Sequence, residues 1–211
     1  MIVKVCGMRE PDNIRAVETS GTDWMGFIFH PDSPRNVDTV PDYLPQRCKR
    51  VGVFVNADAD TILMKTGQFH LDFIQLHGSE SPEFIRMIRQ QLPDNVGIIK
   101  MVPIATPSDF SATLLYSPIV DFFLFETKFL MIGDYYGGSG RQFDWNILSD
   151  YNGEKPFMLT GGIGPSDAER VLSIRHPLFL GVDLNSRFEL SPAVKDVSAI
   201  TRFISLLNKQ P

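Results

Sequence analysis

Eight short runs of apolar, β-branched and aromatic residues recur along the chain, and they begin 22 to 35 residues apart. Each run is almost continuously apolar and does not alternate with polar residues, which is typical of strands that are covered on both faces. The runs therefore predict eight buried strands, at residues 2–6, 24–29, 50–55, 72–76, 97–102, 121–126, 156–160 and 178–183.

The segments between these runs carry helix signals. Capping residues at Asp58, Ser81 and Asp167 each precede residues with helical apolar spacing, and residues 192–207 form the most clearly amphipathic stretch. Eight alternating strands and helices fit either a closed barrel or a doubly wound sheet. The first strand is not followed by the GxGxxG turn of nucleotide-binding sheets. We therefore predict an α/β fold, a single compact (β/α)8 TIM barrel, as one catalytic domain over residues 1–211.

Charge and composition exclude several function classes. The 211 residues carry a formal net charge of -5 without a block of Lys and Arg, so we expect no nucleic acid partner. The 2 cysteines and 4 histidines have no metal-ligand or disulfide spacing, so we expect no metal. No apolar run approaches the roughly 20 residues that span a bilayer. We therefore expect no membrane partner and a cytoplasmic location.

Several chemically active side chains follow the predicted strands. Because the active site of a TIM barrel lies at the carboxyl ends of its strands, these side chains are expected to converge on one rim. The rim would hold a thiol, an arginine, an imidazole and two carboxylates, from Cys6, Arg35, His77, Glu126 and Asp183.

Two glycine-rich turns are predicted on the same rim, at residues 137–140 and 160–168. Backbone N–H groups without side-chain cover bind anions, and TIM barrels often bind phosphate at the loops after their last two strands. Hydrogen-bond donors in the loop after the eighth strand would complete the site. We predict a phosphate site formed by Gly138, Ser139, Gly140, Gly161, Gly162, Asn185 and Ser186.

Seven ordered sequence blocks give the chain a specific resemblance. They are KVCGMR (4–9), GFIFHPDSPRNV (26–37), GVFVN (52–56), IQLHG (74–78), GGSGRQFDW (137–145), LTGGI (159–163) and GVDLNS (181–186). In this order the blocks are similar to those of the phosphoribosylanthranilate isomerase family of tryptophan biosynthesis, and they extend over essentially the whole chain. The resemblance implies a TIM-barrel isomerase that uses no cofactor or metal and binds a small phosphorylated substrate.

The resemblance also implies a reaction, the Amadori rearrangement of N-(5-phosphoribosyl)anthranilate to 1-(2-carboxyphenylamino)-1-deoxyribulose 5-phosphate. An acid must protonate the furanose ring oxygen, and a base must take the C2′ proton. The matching base is Cys6, and Gly7 is expected to leave room for the substrate. The matching acid is Glu126, where the family has an aspartate. Asp183 is the alternative acid or a contact to a substrate hydroxyl.

Other positions are matched to binding roles. Arg35 matches the family's arginine for the anthranilate carboxylate, a group that guanidinium binds through two parallel hydrogen bonds. His77 matches a residue that contacts substrate or orients its loop. Arg187 departs from the family's Ser-Ser-Gly pattern, so it lies beside the phosphate or points away from it.

Two other functions remain open at this point. One is a different sugar-phosphate isomerase barrel, although such enzymes lack a cysteine after the first strand. The other is a non-catalytic relative that binds a phosphorylated ligand, with Glu126 marking lost chemistry. Either a monomer or a homodimer agrees with the sequence.

Overall fold

Eight parallel strands form the centre of the computed structural model, which describes residues 1–128 and 142–209. In chain order they are β1 (Ile2–Cys6), β2 (Trp24–Ile28), β3 (Lys49–Phe54), β4 (Phe73–Leu76), β5 (Gly97–Ile104), β6 (Phe122–Thr127), β7 (Phe157–Leu159) and β8 (Phe179–Leu184). Strand β1 pairs with β2 on one side and with β8 on the other, which closes the barrel. The predicted barrel is confirmed, and every strand boundary lies within two residues of the sequence prediction.

Helices pack around the strands. They are α1 (Pro11–Glu18), α2 (Ala59–Phe69), α3 (Pro82–Arg89), α4 (Thr113–Tyr116), α5 (Ala168–Leu172) and α6 (Val197–Leu207), and 3₁₀ segments occupy Pro107–Ala112, Trp145–Asp150 and Ser186–Phe188. The caps of α2 and α3 form as predicted, since Asp58 accepts a hydrogen bond from the backbone N–H of Thr61 and Ser81 accepts one from that of Phe84. In the described part of the chain, every helix is too short or too polar to cross a bilayer.

The strands have apolar surfaces on both sides, which explains their continuous apolar runs. One set of side chains fills the barrel interior, and a much larger set packs between the barrel wall and the helices. The interior set contains the buried residues Trp24, Val51, Ile99, Leu124 and Met158.

The chain before α6 differs from the prediction. The amphipathic stretch was expected to be helical from Pro192, but the helix begins at Val197, where Asp196 accepts a hydrogen bond from the backbone N–H of Ala199. A short antiparallel hairpin precedes it, formed by β9 (Glu189–Ser191) and β10 (Val194–Lys195). Within its turn, Ala193 adopts a left-handed φ of 67°. This hairpin brings two charged residues to the barrel rim.

Candidate active site

The predicted acid and base lie at the same end of the barrel. Cys6 is the last residue of β1, and Glu126 is the penultimate residue of β6. Asp183 lies near the end of β8, and His77 directly follows β4. Because all of these strands are parallel, their carboxyl ends form one rim, and the four side chains face a common space. The electrostatic influence of both His77 and Glu126 on Asp183 agrees with this arrangement.

Cys6 is a buried thiol packed against β2. It is 3 % exposed, and a Cβ atom at Gly26, its register partner, would lie 2.7 Å from Cys6 Sγ. Glycine at position 26 is therefore what leaves room for the sulfur. Burial raises the pKa of the Cys6 thiol, whereas the positive charges of Lys4 and Lys195 lower it and Asp183 raises it further. Neither lysine is among the predicted site residues.

Lys4 and Asp183 form a buried ion pair beside this thiol. Lys4 Nζ donates to Asp183 Oδ2 at 2.9 Å, and the two side chains are 1 % and 5 % exposed. Burial raises the pKa of Asp183, and the charge and hydrogen bond of Lys4 oppose that effect. The second oxygen, Oδ1, is buried and has no hydrogen-bond partner among the described residues. Asp183 therefore has one buried oxygen whose acceptor capacity is unused by the described residues.

Glu126 is held by a chain of polar side chains. His77 Nε2 lies 2.9 Å from Glu126 Oε2, and His77 Nδ1 lies 2.9 Å from Gln75 Nε2. When the Gln75 amide donates to Nδ1, the neutral ring carries its proton on Nε2 and donates a hydrogen bond to Glu126 Oε2. Gln75 is 1 % exposed, so it orients His77 from inside the barrel wall. In this structure the His77 ring therefore contacts Glu126.

Arg35 is bound by a carboxylate from the β9–β10 hairpin. Its Nε and Nη2 donate to both carboxylate oxygens of Glu189 at 2.7 to 3.1 Å. Lys195 Nζ donates to Glu189 Oε1 at 2.6 Å and to Asn185 Oδ1 at 2.7 Å. Burial by itself would raise the pKa of Glu189, but Arg35 and Lys195 together keep it below the ordinary value.

The predicted site residues do not include Glu189 or Lys195, because residues 192–207 match helical spacing and conceal the hairpin. The available signal was a pair of charged residues, Glu189 and Lys195, beside the apolar residues Phe188 and Val194. Their side chains are 5 % and 0 % exposed.

Gly7 was expected to leave room for the substrate, but in the structure it leaves room for Arg35. Its φ of 77° is in the left-handed region, and a Cβ atom there would lie 2.7 Å from Arg35 Cδ and 3.1 Å from Asn185 Oδ1. The space beside Gly7 is therefore filled by the stem of Arg35 and not left to the substrate. The glycine allows Arg35 to approach β1 closely.

The predicted phosphate corner is partly described. Gly161 and Gly162 follow β7 with φ values of 90° and 71°, while Asn185 and Ser186 follow β8. Arg187, whose direction the sequence left open, lies against this corner, since a Cβ atom at Gly164 would lie 3.3 Å from its Cδ. The predicted residues Gly138, Ser139 and Gly140 lie outside the described residues.

One carboxylate shares the corner. Asp167 Oδ2 accepts hydrogen bonds from the backbone N–H of Gly164 at 2.7 Å and from Gln142 Nε2 at 2.7 Å. The N–H of Gly164 is therefore occupied, and the backbone donors proposed for an anion are those nearer Gly161 and Gly162. Residues 1–128 and 142–209 contain no group of three His, Cys, Asp or Glu side chains arranged to hold a metal ion.

Fold and site together define a class of protein, a (β/α)8-barrel enzyme equipped for acid–base chemistry on a small substrate. Comparison with known proteins gives the family. The family model for N-(5'phosphoribosyl)anthranilate isomerase matches residues 3–206. The chain belongs to this family, so the isomerase activity and its place in tryptophan biosynthesis are confirmed.

Individual relatives agree with this assignment. The isomerase of Phocaeicola vulgatus is 48% identical over 210 residues, covering 100% of this chain and 99% of the relative. A solved isomerase in complex with reduced 1-(o-carboxyphenylamino)-1-deoxyribulose 5-phosphate is 28% identical, with a TM-score of 0.81 and 100% of both chains covered. Monomers of the dimeric Thermotoga maritima isomerase are 27% identical, with a TM-score of 0.80 and 100% of both chains covered.

Proposed function

We propose that Cys6 and Glu126 carry out the two proton transfers of the isomerisation. Glu126 protonates the furanose ring oxygen, the C1′–O bond breaks, and the resulting Schiff base has an acidic C2′ proton that Cys6 removes. The observation that carries this assignment is the position of both side chains at one end of a closed barrel, with Glu126 held by His77 at 2.9 Å.

Replacement of the family's aspartate by Glu126 is compatible with the acid role. Glutamate is one methylene longer, and a displacement of about 1 Å in a catalytic group is costly when nothing corrects it. The contact from His77 Nε2 restrains the longer side chain, and Gln75 restrains His77 in turn. Asp183 is less suited to donate the first proton because it is paired with the buried ammonium group of Lys4, and a neighbouring positive charge favours the ionised form of a carboxyl group. Its second oxygen fits the role of acceptor for a substrate hydroxyl.

Arg35 is proposed to bind the anthranilate carboxylate. Glu189 accepts hydrogen bonds from Nε and Nη2 of the guanidinium and so orients it at the rim. A planar guanidinium can serve two carboxylates in this way because its five N–H groups point in fixed directions. His77 remains a proposed substrate neighbour through its position beside Glu126.

The phosphate is proposed to bind between the loops after β7 and β8. Gly161 and Gly162 would supply backbone N–H groups, and Asn185 and Ser186 would supply side-chain or backbone donors. Arg187 lies against Gly164, so its guanidinium would add a positive charge beside the phosphate. The loop with Gly138, Ser139 and Gly140 would complete the site.

The remaining proposals concern the whole molecule. We propose one catalytic domain over residues 1–211 that uses no cofactor and is located in the cytoplasm. The dimeric state of the Thermotoga maritima relative makes a homodimer a reasonable state for this chain, and a monomer is the alternative. Sedimentation of the purified protein distinguishes them.

Turnover tests the base assignment. We expect Cys6→Ala to lower kcat by about 10²–10⁴-fold, the usual contribution of a positioned proton-transfer group, with binding of the reduced product analogue retained. The loss of substrate fluorescence measures turnover. Cys48→Ala is the matched control, because Cys48 is a buried thiol that donates to the Thr22 carbonyl, and its kcat should match the parent. Near-parental turnover in Cys6→Ala would refute the assignment.

A further inference from the structure

Lys4 and Cys6 share the inner face of β1. They are two residues apart on a strand, so their side chains point to the same side and their Cα atoms are about 7 Å apart. Lys4 is 0 % exposed and Cys6 is 3 % exposed. An extended lysine side chain spans such a distance, so the ammonium group of Lys4 is within reach of the thiol, and its positive charge lowers the pKa of Cys6. A fully buried ammonium group therefore lies beside the proposed base.

Asp183 fixes this ammonium group in place. Lys4 and Asp183 are register partners on β1 and β8, and Nζ donates to Oδ2 at 2.9 Å. An ammonium group has three N–H donors. Among the described residues, Asp183 is the side chain to which Lys4 Nζ donates a hydrogen bond. The ion pair thus leaves Lys4 able to donate to the sulfur.

The surrounding charges favour a negative sulfur. Among the charges that act on Cys6, those of Lys4 and Lys195 are positive and favour the thiolate, whereas that of Asp183 is negative and opposes it. Because uncompensated charge is costly in a buried site, the arrangement reduces the cost of ionising Cys6. His77 and Glu126 complete the titratable groups across the pocket.

We propose that Lys4 is a positioning residue that holds its positive charge against Cys6 and thereby stabilises the thiolate which removes the C2′ proton. This inference rests on the proposed role of Cys6 as the base. In the step, the thiolate forms an S–H bond with the C2′ proton. The electrons of the C2′–H bond form a C1′=C2′ double bond, and those of the C1′=N bond move to nitrogen and neutralise the iminium. Lys4 keeps its proton throughout.

Alkylation of Cys6 tests the proposal without turnover. In a Cys48→Ala background Cys6 is the single thiol, and its rate with iodoacetamide at fixed pH follows the thiolate fraction. Removing a neighbouring positive charge raises a thiol pKa by about one unit or more. We therefore expect Lys4→Met to slow alkylation about tenfold or more, and Lys4→Arg to restore most of the rate.

Lys100→Met is the matched control. Lys100 is 3 % exposed and is paired with Glu80, so its loss perturbs a comparably buried ion pair elsewhere in the barrel wall. Its alkylation rate should match that of the background. A Lys4→Met rate within threefold of the background, or an equal slowing in Lys100→Met, would overturn the proposal.

Turnover supplies a second readout. Lys4→Met should lower kcat at least tenfold with little change in KM, and the limb of the kcat profile that reports Cys6 ionisation should move to higher pH. If iodoacetamide does not reach Cys6, the pH dependence of kcat tests the proposal instead. A limb at the same pH in Lys4→Met and in the parent would contradict the proposal. If Lys4→Met does not fold, Lys4→Met/Asp183→Asn avoids an unpaired carboxylate and should also slow alkylation.

Failure of the inference is distinguishable from failure of the proposed function. Full turnover in Cys6→Ala would remove Cys6 as the base and leave the alkylation result unaffected. Loss of turnover in Cys6→Ala with unchanged alkylation in Lys4→Met would keep Cys6 as the base and remove Lys4.

Discussion

The barrel contains two buried lysine–carboxylate pairs with different surroundings. Lys100 Nζ donates to Glu80 Oε2 and to the carbonyl oxygens of Leu76 and Gly78, at 2.6 to 3.2 Å, which uses all three of its donors. Glu80 Oε1 accepts from the backbone N–H groups of Asn56 and Gly78. This pair is saturated, and it fastens the loop that carries His77.

The pair formed by Lys4 and Asp183 is not saturated. Asp183 Oδ1 is buried without a hydrogen-bond partner among the described residues, and the Lys4 ammonium group also faces the Cys6 thiol. Burial lowers the pKa of Lys100, whereas at Lys4 the opposing effect of burial is exceeded by the charges of Asp183 and Cys6 together with the hydrogen bond to Asp183, so that its pKa is raised. The two ion pairs are thus equally buried but differ in function. A pair whose hydrogen-bonding groups are all used stabilises the fold, whereas a pair with an unused acceptor is able to bind a substrate group.

The largest expected difference between the two ion pairs is in the free energy of unfolding that is lost when the lysine is replaced. We expect Lys100→Met to lower the free energy of unfolding by about 3–5 kcal/mol, because it leaves Glu80 as an uncompensated buried charge. Lys4→Met should cost less, since the pKa of Asp183 is already raised by burial and this carboxylate takes up a proton more readily. Urea unfolding at neutral pH measures both.

Lys49→Met is the reference for that experiment. Lys49 pairs with Asp72 and is 59% exposed, so its loss should change stability by about 0.5 kcal/mol or less. Equal losses for Lys100→Met and Lys4→Met would break the distinction between a structural and a functional pair.

Substrate affinity should depend on the open side of the rim. We expect Arg35→Ala to raise KM about tenfold or more, because a hydrogen-bonded contact between charged groups contributes about 1.5–3 kcal/mol. Arg9→Ala is the matched control, since Arg9 is a rim arginine that is 39% exposed and donates to Glu10 and to the Pro34 carbonyl. Steady-state kinetics with both variants checks this, and a KM for Arg35→Ala equal to that of Arg9→Ala would remove Arg35 from substrate binding.

The loss of stability at low pH should depend on Asp109, a carboxylate that, like Glu80, is held by an ion pair and by backbone N–H groups. Burial by itself would raise the pKa of Asp109, but the Lys128 ammonium and the backbone N–H groups of Ala105 and Thr106 lower it to about 2. A pKa lowered on folding stabilises the protein above the ordinary value near 3.8, and this contribution is lost as the pH falls towards 2.

At neutral pH we expect Asp109→Asn to cost about 2 kcal/mol of unfolding free energy, with the difference from the parent closing between about pH 4 and pH 2. Thermal unfolding across that range measures it. A constant difference at all pH values would mean that Asp109 does not titrate as described.

Much of the fold could be read from the sequence because barrel strands are short, apolar and regularly spaced. The sequence also contained a sign of the inner site, since Lys4 and Gln75 interrupt apolar runs that are otherwise buried. Strand parity already places Lys4 on the same face as Cys6. What the pattern could not supply was the partners, because Asp183 is 179 residues from Lys4 along the chain.

The hairpin cluster was harder to predict for a different reason. Residues from Pro192 onward match helical spacing, and only the left-handed backbone of Ala193 and the cap at Asp196 reveal that the helix starts later. The purpose of Gly7 was likewise hidden, because its neighbour Arg35 comes from another loop.

The central claim is that Glu126, and not Asp183, is the acid of the isomerisation, acting with Cys6 as the base. The most direct test compares kcat for Glu126→Gln and Asp183→Asn, with Glu126→Asp restoring the family's residue. We predict that Glu126→Gln loses about 10²–10⁴-fold in kcat while still binding the product analogue, and that Glu126→Asp remains active. Near-parental kcat in Glu126→Gln together with abolished turnover in Asp183→Asn would contradict the account and make Asp183 the acid.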